Sequence, residues 1–204
     1  MTKKNRNYHH GNLAESLLNA VDELATKFGI EAVTLRACAK IVGVSPSSAF
    51  RHYSDKRALL TAFASRALHQ LSDSLQVAKD AAQKDSKDEY LAVGLAYVEF
   101  AIDKPAFFRA MWREETIYIA DEEYIQAADR LRAYMQAGFA GTLKDEDPLS
   151  LNIAEVLAWS SVHGLAVLFI EGALSGTNSR KQKLSLAKQM IESMILERNN
   201  NKTA

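Results

Sequence analysis

The residues of this chain best equipped for chemistry lie between Thr34 and Lys56. Ser45, Ser47 and Ser48 set three short hydroxyls within four positions, and Arg51 and His52 follow with a guanidinium and an imidazole. Ala49, Phe50 and Tyr53 are interleaved as apolar and aromatic contacts. Short hydroxyls let a helix axis approach the floor of a DNA major groove. There a serine can donate or accept at several bases, and an arginine can fork onto guanine O6 and N7. Arg36 and Lys56 flank the set with cations suited to phosphate oxygens, and Thr34 and Ser45 stand where helix starts would turn backbone N–H groups toward the same anions. His52 has two readings, contact with a groove or phosphate and local capping or packing; the first fits its basic, hydroxyl-rich neighbourhood better.

A second concentration is aromatic: Phe100, Phe107, Phe108, Met111, Trp112, Trp159 and His163, with Phe169 beyond them. At helical spacing such residues are usually core, and the alternative is the wall of a small-molecule pocket. Trp159 and His163 lie one turn apart on one helix face. They make either a pocket wall with a polar handle or a hydrogen-bonded packing pair.

Other chemistries find no support. There is no phosphate-cradling glycine loop, no Gly-x-Ser-x-Gly elbow and no His-Glu-x-x-His pair. The lone Cys38 excludes an intrachain disulfide and sits on an apolar stripe as a small core residue. His9 and His10 are adjacent, without the spacing or acidic partners of a metal site. Neither catalysis nor a metal nor a cofactor is expected.

The elements that must position these groups are helical throughout. Leu13, Leu17, Ala20, Val21, Leu24 and Phe28 recur at helical spacing ahead of Gly29, giving a first helix over 12–28. Thr34 caps a short helix over 35–42, and Gly43 turns the chain. Ser45 then caps a third helix that Pro46 opens and that runs to about Tyr53. Ser54 and Asp55 start a long fourth helix to about Ala82, with Leu59, Phe63, Ala67, Leu71 and Leu75 as its buried stripe. A fifth helix carries Leu91, Leu95, Val98 and Ile102, and a sixth begins at Pro105. A seventh follows the acidic run 121–123 and reaches Gly141, with Tyr124, Ala128, Leu131, Met135 and Phe139 inward. An eighth runs from Asp147-Pro148 to about Leu174, and a ninth from Ser179 with Leu184, Ala187, Ile191 and Met194 inward. The fold class is all-α, with about nine helices: an N-terminal helix-turn-helix domain over 1–55 and a helical bundle over 56–204 for sensing and dimerisation.

Thr34-Leu35-Arg36-Ala37-Cys38-Ala39-Lys40-Ile41-Val42-Gly43-Val44-Ser45, followed by Ser48-Ala49-Phe50-Arg51-His52-Tyr53-Ser54-Asp55-Lys56-Arg57-Ala58-Leu59-Leu60, resembles the signature of the TetR family. The opening Tyr8-His9-His10-Gly11-Asn12-Leu13 and the later Trp159-x-x-x-His163-Gly164 resemble a subgroup with a Trp-His-Gly sensor domain. The resemblance implies a homodimer whose recognition helices enter successive major grooves. It also implies that Thr34, Arg36, Ser45, Ser47, Ser48, Phe50, His52, Tyr53 and Lys56 fall on positions that commonly touch DNA. Phe50 departs from the tyrosine usual there, and Ser47 from the common glycine.

Charge fits this division. Nine Lys and Arg against five Asp and Glu give residues 1–57 a net +4, and the remainder −4, within a chain of formal net charge zero. A basic head on an acidic body suits one polyanionic partner and a different one elsewhere. Lys3, Lys4 and Arg6 form either a basic arm for an adjacent minor groove or a solubilising tail. Residues 1–12 hold no apolar run, and Glu155 interrupts the longest apolar stretch, so neither a leader nor a membrane span is expected and the protein is placed in the cytoplasm.

The partners expected are double-stranded operator DNA, a second copy joined through the last two helices, and an unknown small-molecule effector that releases the DNA, most simply as a repressor. Val156, Leu157, Leu165, Leu168, Leu184, Ile191, Met194 and Ile195 are the apolar surface available to the dimer. Two other classes stay open at this level: a helical small-molecule carrier or enzyme with a vestigial helix-turn-helix, and a sequence-blind DNA binder.

Overall fold

Gly29, Thr34, Gly43, Ser45-Pro46, Asp55 and Pro105 stand at helix boundaries, as their capping and breaking chemistry requires, whereas Gly94 and Gly164 lie inside helices. The computed structural model describes residues 13–82, 86–137, 153–174, 176 and 179–200. Among them are nine α-helices: α1 (Leu13–Phe28), α2 (Leu35–Val42), α3 (Pro46–Phe50), α4 (Lys56–Ala81), α5 (Ser86–Asp103), α6 (Pro105–Met111), α7 (Glu122–Ala137), α8 (Ile153–Ile170) and α9 (Arg180–Asn200). Two single 3-10 turns, Ile30–Ala32 and Glu114–Thr116, precede α2 and follow α6. No strand occurs among the described residues.

α4 is the spine. Its predicted stripe is fully enclosed, with Leu59, Phe63, Ala67 and Leu71 at 0% exposure and Leu75 at 1%. At roughly 2 kcal/mol per large apolar side chain removed from water, this stripe is a main source of cohesion. α1 packs on its first turns, and α5, α6 and α7 surround the rest, so one helix passes from head to body. Its start is fixed by Asp55, whose carboxylate accepts from the Ala58 N–H at 2.8 Å.

Several expectations are corrected. α3 stops at Phe50 rather than running to about Tyr53, because the amides of His52 and Tyr53 both turn back to the Ala49 carbonyl, at 3.0 and 3.1 Å. α5 buries Tyr97, Val98, Phe100 and Ala101, whereas Leu91, Leu95 and Ile102 are only half-buried. α4, α6, α8 and α9 all pack on α5, so it is enclosed on more than one side and no single stripe describes it. On α7, Ala127 and Leu131 are buried and Tyr124 and Ala128 half-buried; the Met135 side chain, Phe139 and Gly141 lie outside what is described. Asp147 and Pro148, the expected start of α8, also lie outside the described residues.

α9 begins with a reciprocal cap. The Gln182 amide donates to Ser179 Oγ at 3.2 Å, and the Ser179 amide donates to Gln182 Oε1 at 3.0 Å. Leu165 at 7% and Ile191 at 0% face the chain's own core instead of offering surface, while Leu157 at 62% and Leu168 at 41% are exposed. No helix among the described residues is long and apolar enough to cross a membrane.

Candidate nucleic-acid interface

The reading unit is assembled from local chemistry. Thr34, in extended backbone, accepts the Ala37 N–H at 3.0 Å and starts α2. Gly43 ends it in the left-handed region (φ 80°), where a side chain would be strained, and the amides of Gly43 and Val44 both close on the Ala39 carbonyl at 2.9 Å. Ser45 accepts the Ser48 N–H at 3.2 Å, and Pro46 opens α3. Cys38, Ala39 and Ala49, all at 0% exposure, seat the two helices on the head's core. Burial pushes the Cys38 thiol up to about 11, which keeps it a neutral packing group.

With Ala49 inward, α3 turns Ser45, Ser47, Phe50, Arg51 and His52 to solvent, and Ser48 is half-exposed. Ser45 Oγ lies 2.9 Å from Ser47 Oγ and 2.8 Å from Ser48 Oγ, so the three hydroxyls form one hydrogen-bonded patch. Phe50 is 44% exposed, a large ring left in water.

Two residues of the predicted set hold the head together. Tyr53 is half-buried and its hydroxyl donates to the Ala14 carbonyl at 3.5 Å; burial raises the phenol to about 12. Lys56 Nζ donates to the carbonyls of Ile30 at 3.4 Å and Glu31 at 3.2 Å. Of the head's other cations, Lys27 pairs with Glu23 and Arg57 donates to the Ile117 carbonyl. Arg36, Lys40 and Arg51 are exposed and have no ion-pair partner among the described residues. Lys40 is absent from the sequence-based contact set, although its i, i+4 spacing from Arg36 places both on one face of α2.

The aromatic set divides in two. Phe107 stacks on Phe63 of α4 with centroids 4.4 Å apart, Phe100 lies 5.5 Å from Lys104 Nζ, and Met111 is buried; these three are core. The others surround His163: Phe108 at 5.3 Å, Trp112 at 5.1 Å and Trp159 at 6.1 Å between ring centres. Tyr97, absent from the sequence-based set, joins them. Its hydroxyl accepts from Trp159 Nε1 at 3.4 Å and lies 2.9 Å from His163 Nδ1. A phenol oxygen offers acceptor sites beside its one donor, so the direction of the bond to Nδ1 follows the imidazole tautomer. Burial lowers the His163 pKa, favouring the neutral ring, and raises that of Tyr97. Trp112 Nε1 is buried and has no hydrogen-bond partner among the described residues.

Two family models match the chain. Residues 17–63 match "Bacterial regulatory proteins, tetR family", and residues 90–194, just over half the chain, match "Tetracyclin repressor-like, C-terminal domain". A curated relative, the uncharacterized HTH-type transcriptional regulator YobS of Bacillus subtilis (strain 168), is 24% identical over 188 residues, covering 91% of this chain and 93% of that one. A solved protein of unknown function from Rhodococcus sp. RHA1 superposes with a TM-score of 0.74 at 24% identity, covering 92% and 98% of the two chains. A TetR family transcription regulator from Marinobacter aquaeolei VT8 superposes with a TM-score of 0.62 at 20% identity, covering 89% and 94%. These superpositions speak to the fold.

Proposed function

The chain belongs to the TetR family of bacterial regulatory proteins, and from that premise we propose that it is an operator-binding dimer released by a small molecule. DNA-binding transcription regulation is the family's function. The finer reading is that residues 1–55 serve as the DNA-binding head and 56–204 as the sensing and dimerising body, and that the body is of the Trp-His-Gly sensor kind, a reading that Trp159, His163 and Gly164 support.

The observation that carries the reading is the outward face of α3. Ser45, Ser47, Phe50, Arg51 and His52 are exposed around a hydrogen-bonded hydroxyl patch while Ala49 is fully buried. Arg51 and Ser48 are assigned to base edges, and Arg36, joined by Lys40, to phosphates. Thr34 and Tyr53 contribute mainly by holding the unit in shape, as does Lys56 through its two carbonyl contacts. Two heads dock together when the dimer sets their half-site centres ~34–36 Å apart. Leu157 and Leu168 on α8, with Leu186 on α9 at 37% exposure, are the apolar surface offered to the second copy.

The effector site is assigned to the group around His163. Trp112 contributes a buried donor with no partner among the described residues, and the Tyr97 hydroxyl hydrogen-bonds the imidazole. An effector there weakens DNA binding by the same factor by which DNA weakens effector binding.

Selection from a random duplex pool tests the reading. The expected result is an enriched palindromic motif, with affinity falling steeply as salt rises. A protein that enriches no sequence, or binds all duplexes alike at low salt, refutes it.

A further inference from the structure

We propose that residues 113–118 set the angle at which each head presents α3, with Arg113 and Tyr118 as positioning residues, and that this angle decides which half-site spacing the dimer accepts. The proposal rests on the operator-binding reading above.

One short piece of the body grips both ends of the reading unit. Arg113 Nη1 meets Glu31 Oε1 at 2.6 Å, in the turn that leads into α2. Five positions later the Tyr118 hydroxyl donates to Asp55 Oδ2 at 2.8 Å, in the connector that leaves α3. Between these grips, Arg57 Nε donates to the Ile117 carbonyl at 2.7 Å, and its guanidinium lies 4.7 Å from the Tyr118 ring centre. The Tyr118 amide donates to Thr61 Oγ1 at 2.9 Å. Lys56 ties the two connectors to each other through the Ile30 and Glu31 carbonyls. The carboxylate that caps α4 is therefore also the one the body holds.

The grips are built to yield. Ile117, at 1% exposure, anchors the segment, but the polar contacts on either side lie in water: Tyr118 is 40% exposed, and the side chains of Arg113 and Glu31 are 39% and 76% exposed. Pairs of this kind shift an equilibrium by roughly two- to five-fold each. They bias the head's orientation without freezing it. Trp112, in ring contact with His163 and Trp159, is the residue before Arg113, so a displacement in that cluster reaches the first grip across one peptide bond.

Spacing is the property that separates orientation from affinity. Adding one base pair between half-sites moves the second by ~3.4 Å along the duplex and turns it by roughly 35°. A head held at one angle resists that change, and a loosened head follows it.

The experiment uses the full chain and a duplex selected by the wild-type protein from a random pool, together with versions carrying one base pair more or fewer at the centre. Tyr118→Phe keeps the ring and removes only the hydroxyl contact, and Glu31→Gln weakens the other grip. Each is expected to lower the affinity ratio between parent and respaced duplexes by roughly two- to five-fold, with the salt dependence on the parent duplex unchanged. Charge exchange, Glu31→Arg with Arg113→Glu, is expected to restore the ratio. A merely structural role would weaken every spacing equally, and that outcome overturns the proposal. So does a ratio unmoved in either variant, or one that charge exchange does not recover. A wild-type protein that selects no duplex overturns the operator-binding reading and this inference with it; a selected duplex with an immovable ratio overturns this inference alone.

Discussion

Replacing Ser45 in three ways separates what the residue does for the helix from what it does for DNA. Its Oγ accepts the Ser48 N–H at 3.2 Å and touches the hydroxyls of Ser47 and Ser48. Ser45→Ala removes the cap, at a cost of about 1 kcal/mol, and a chain of this size then melts roughly 2–4 °C lower. Asparagine and aspartate cap about as well as serine, so Ser45→Asn and Ser45→Asp are both expected to melt near the wild type. They part company on DNA. Taking a separation of ~6 Å from a phosphate and the dielectric of water, a carboxylate at this exposed position costs roughly 1 kcal/mol per head. Two heads make that roughly 2 kcal/mol, or about a 30-fold loss relative to Ser45→Asn. The loss shrinks as salt screens the charges. Scanning fluorimetry reads the stability, and anisotropy titration of the selected duplex at two salt concentrations reads the binding. If Ser45→Asp binds as well as Ser45→Asn, the start of α3 does not face the duplex and the placement of the reading helix is wrong.

Three further outcomes follow from particular side chains. Arg36→Ala is expected to weaken binding to all sequences alike and to flatten the salt slope by about one for each phosphate no longer neutralised, with melting unchanged, whereas Lys56→Ala also lowers the melting temperature because Lys56 holds the Ile30 and Glu31 carbonyls; equal melting for both would undo this distinction. Gly94→Ala puts a Cβ 3.0 Å from Cδ1 of the buried Ile191, so that methyl must give by a few tenths of an ångström; the roughly 1–3 kcal/mol of overpacking outweighs the roughly 1 kcal/mol that alanine gains over glycine inside a helix, so a small net loss is expected in denaturant unfolding, and adding Ile191→Val should recover part of it; no recovery would count against the close approach. For His163, burial depresses the folded pKa below the ordinary imidazole value of 6.5, so its contribution to stability is present above that value and is lost as pH falls through the folded pKa; proton NMR titration should find the depressed value, and Tyr97→Phe should alter the fluorescence of Trp112 and Trp159, the only tryptophans in the chain.

What was legible in the sequence is what short-range chemistry decides. α2 runs from Leu35 to Val42 because Thr34 caps it and Gly43 can take a left-handed backbone, and both signals sit beside the helix they bound. The α4 stripe is legible because Leu59, Phe63, Ala67, Leu71 and Leu75 keep a strict four-residue spacing, although Leu60, Ala64, Leu68 and Ser72 are buried beside it. α5 is not legible in that way. Enclosed on several sides, it buries Tyr97 as readily as Val98, and its apolar residues carry no single phase. Tyr97 enters the His163 group through a contact 66 residues away, which no local pattern encodes. Tyr53 and Lys56 show the same limit within the reading head. Their types suit DNA, and their partners, the carbonyls of Ala14, Ile30 and Glu31, are set by how α1 and its following turn fold back.

The shortness of α3 explains why distant residues can govern it. Five residues make barely more than one turn, far below the length at which a helix persists alone in water. Its shape is therefore lent to it by Ser45 at the start, Ala49 beneath, Gly43 before and the Asp55 connector after. A helix of this kind has little stiffness with which to oppose a change in its supports, so the connectors held at Glu31 and Asp55 by Arg113 and Tyr118 set where the hydroxyl patch and Arg51 point. The same dependence runs backwards. A duplex that holds two copies of α3 at one spacing holds the connectors too, and through Arg113 and Tyr118 it favours one arrangement of the segment beside Trp112. On the proposed reading, sensing and DNA binding share a single equilibrium, and grips as exposed as these are weak enough for a ligand of ordinary affinity to shift it.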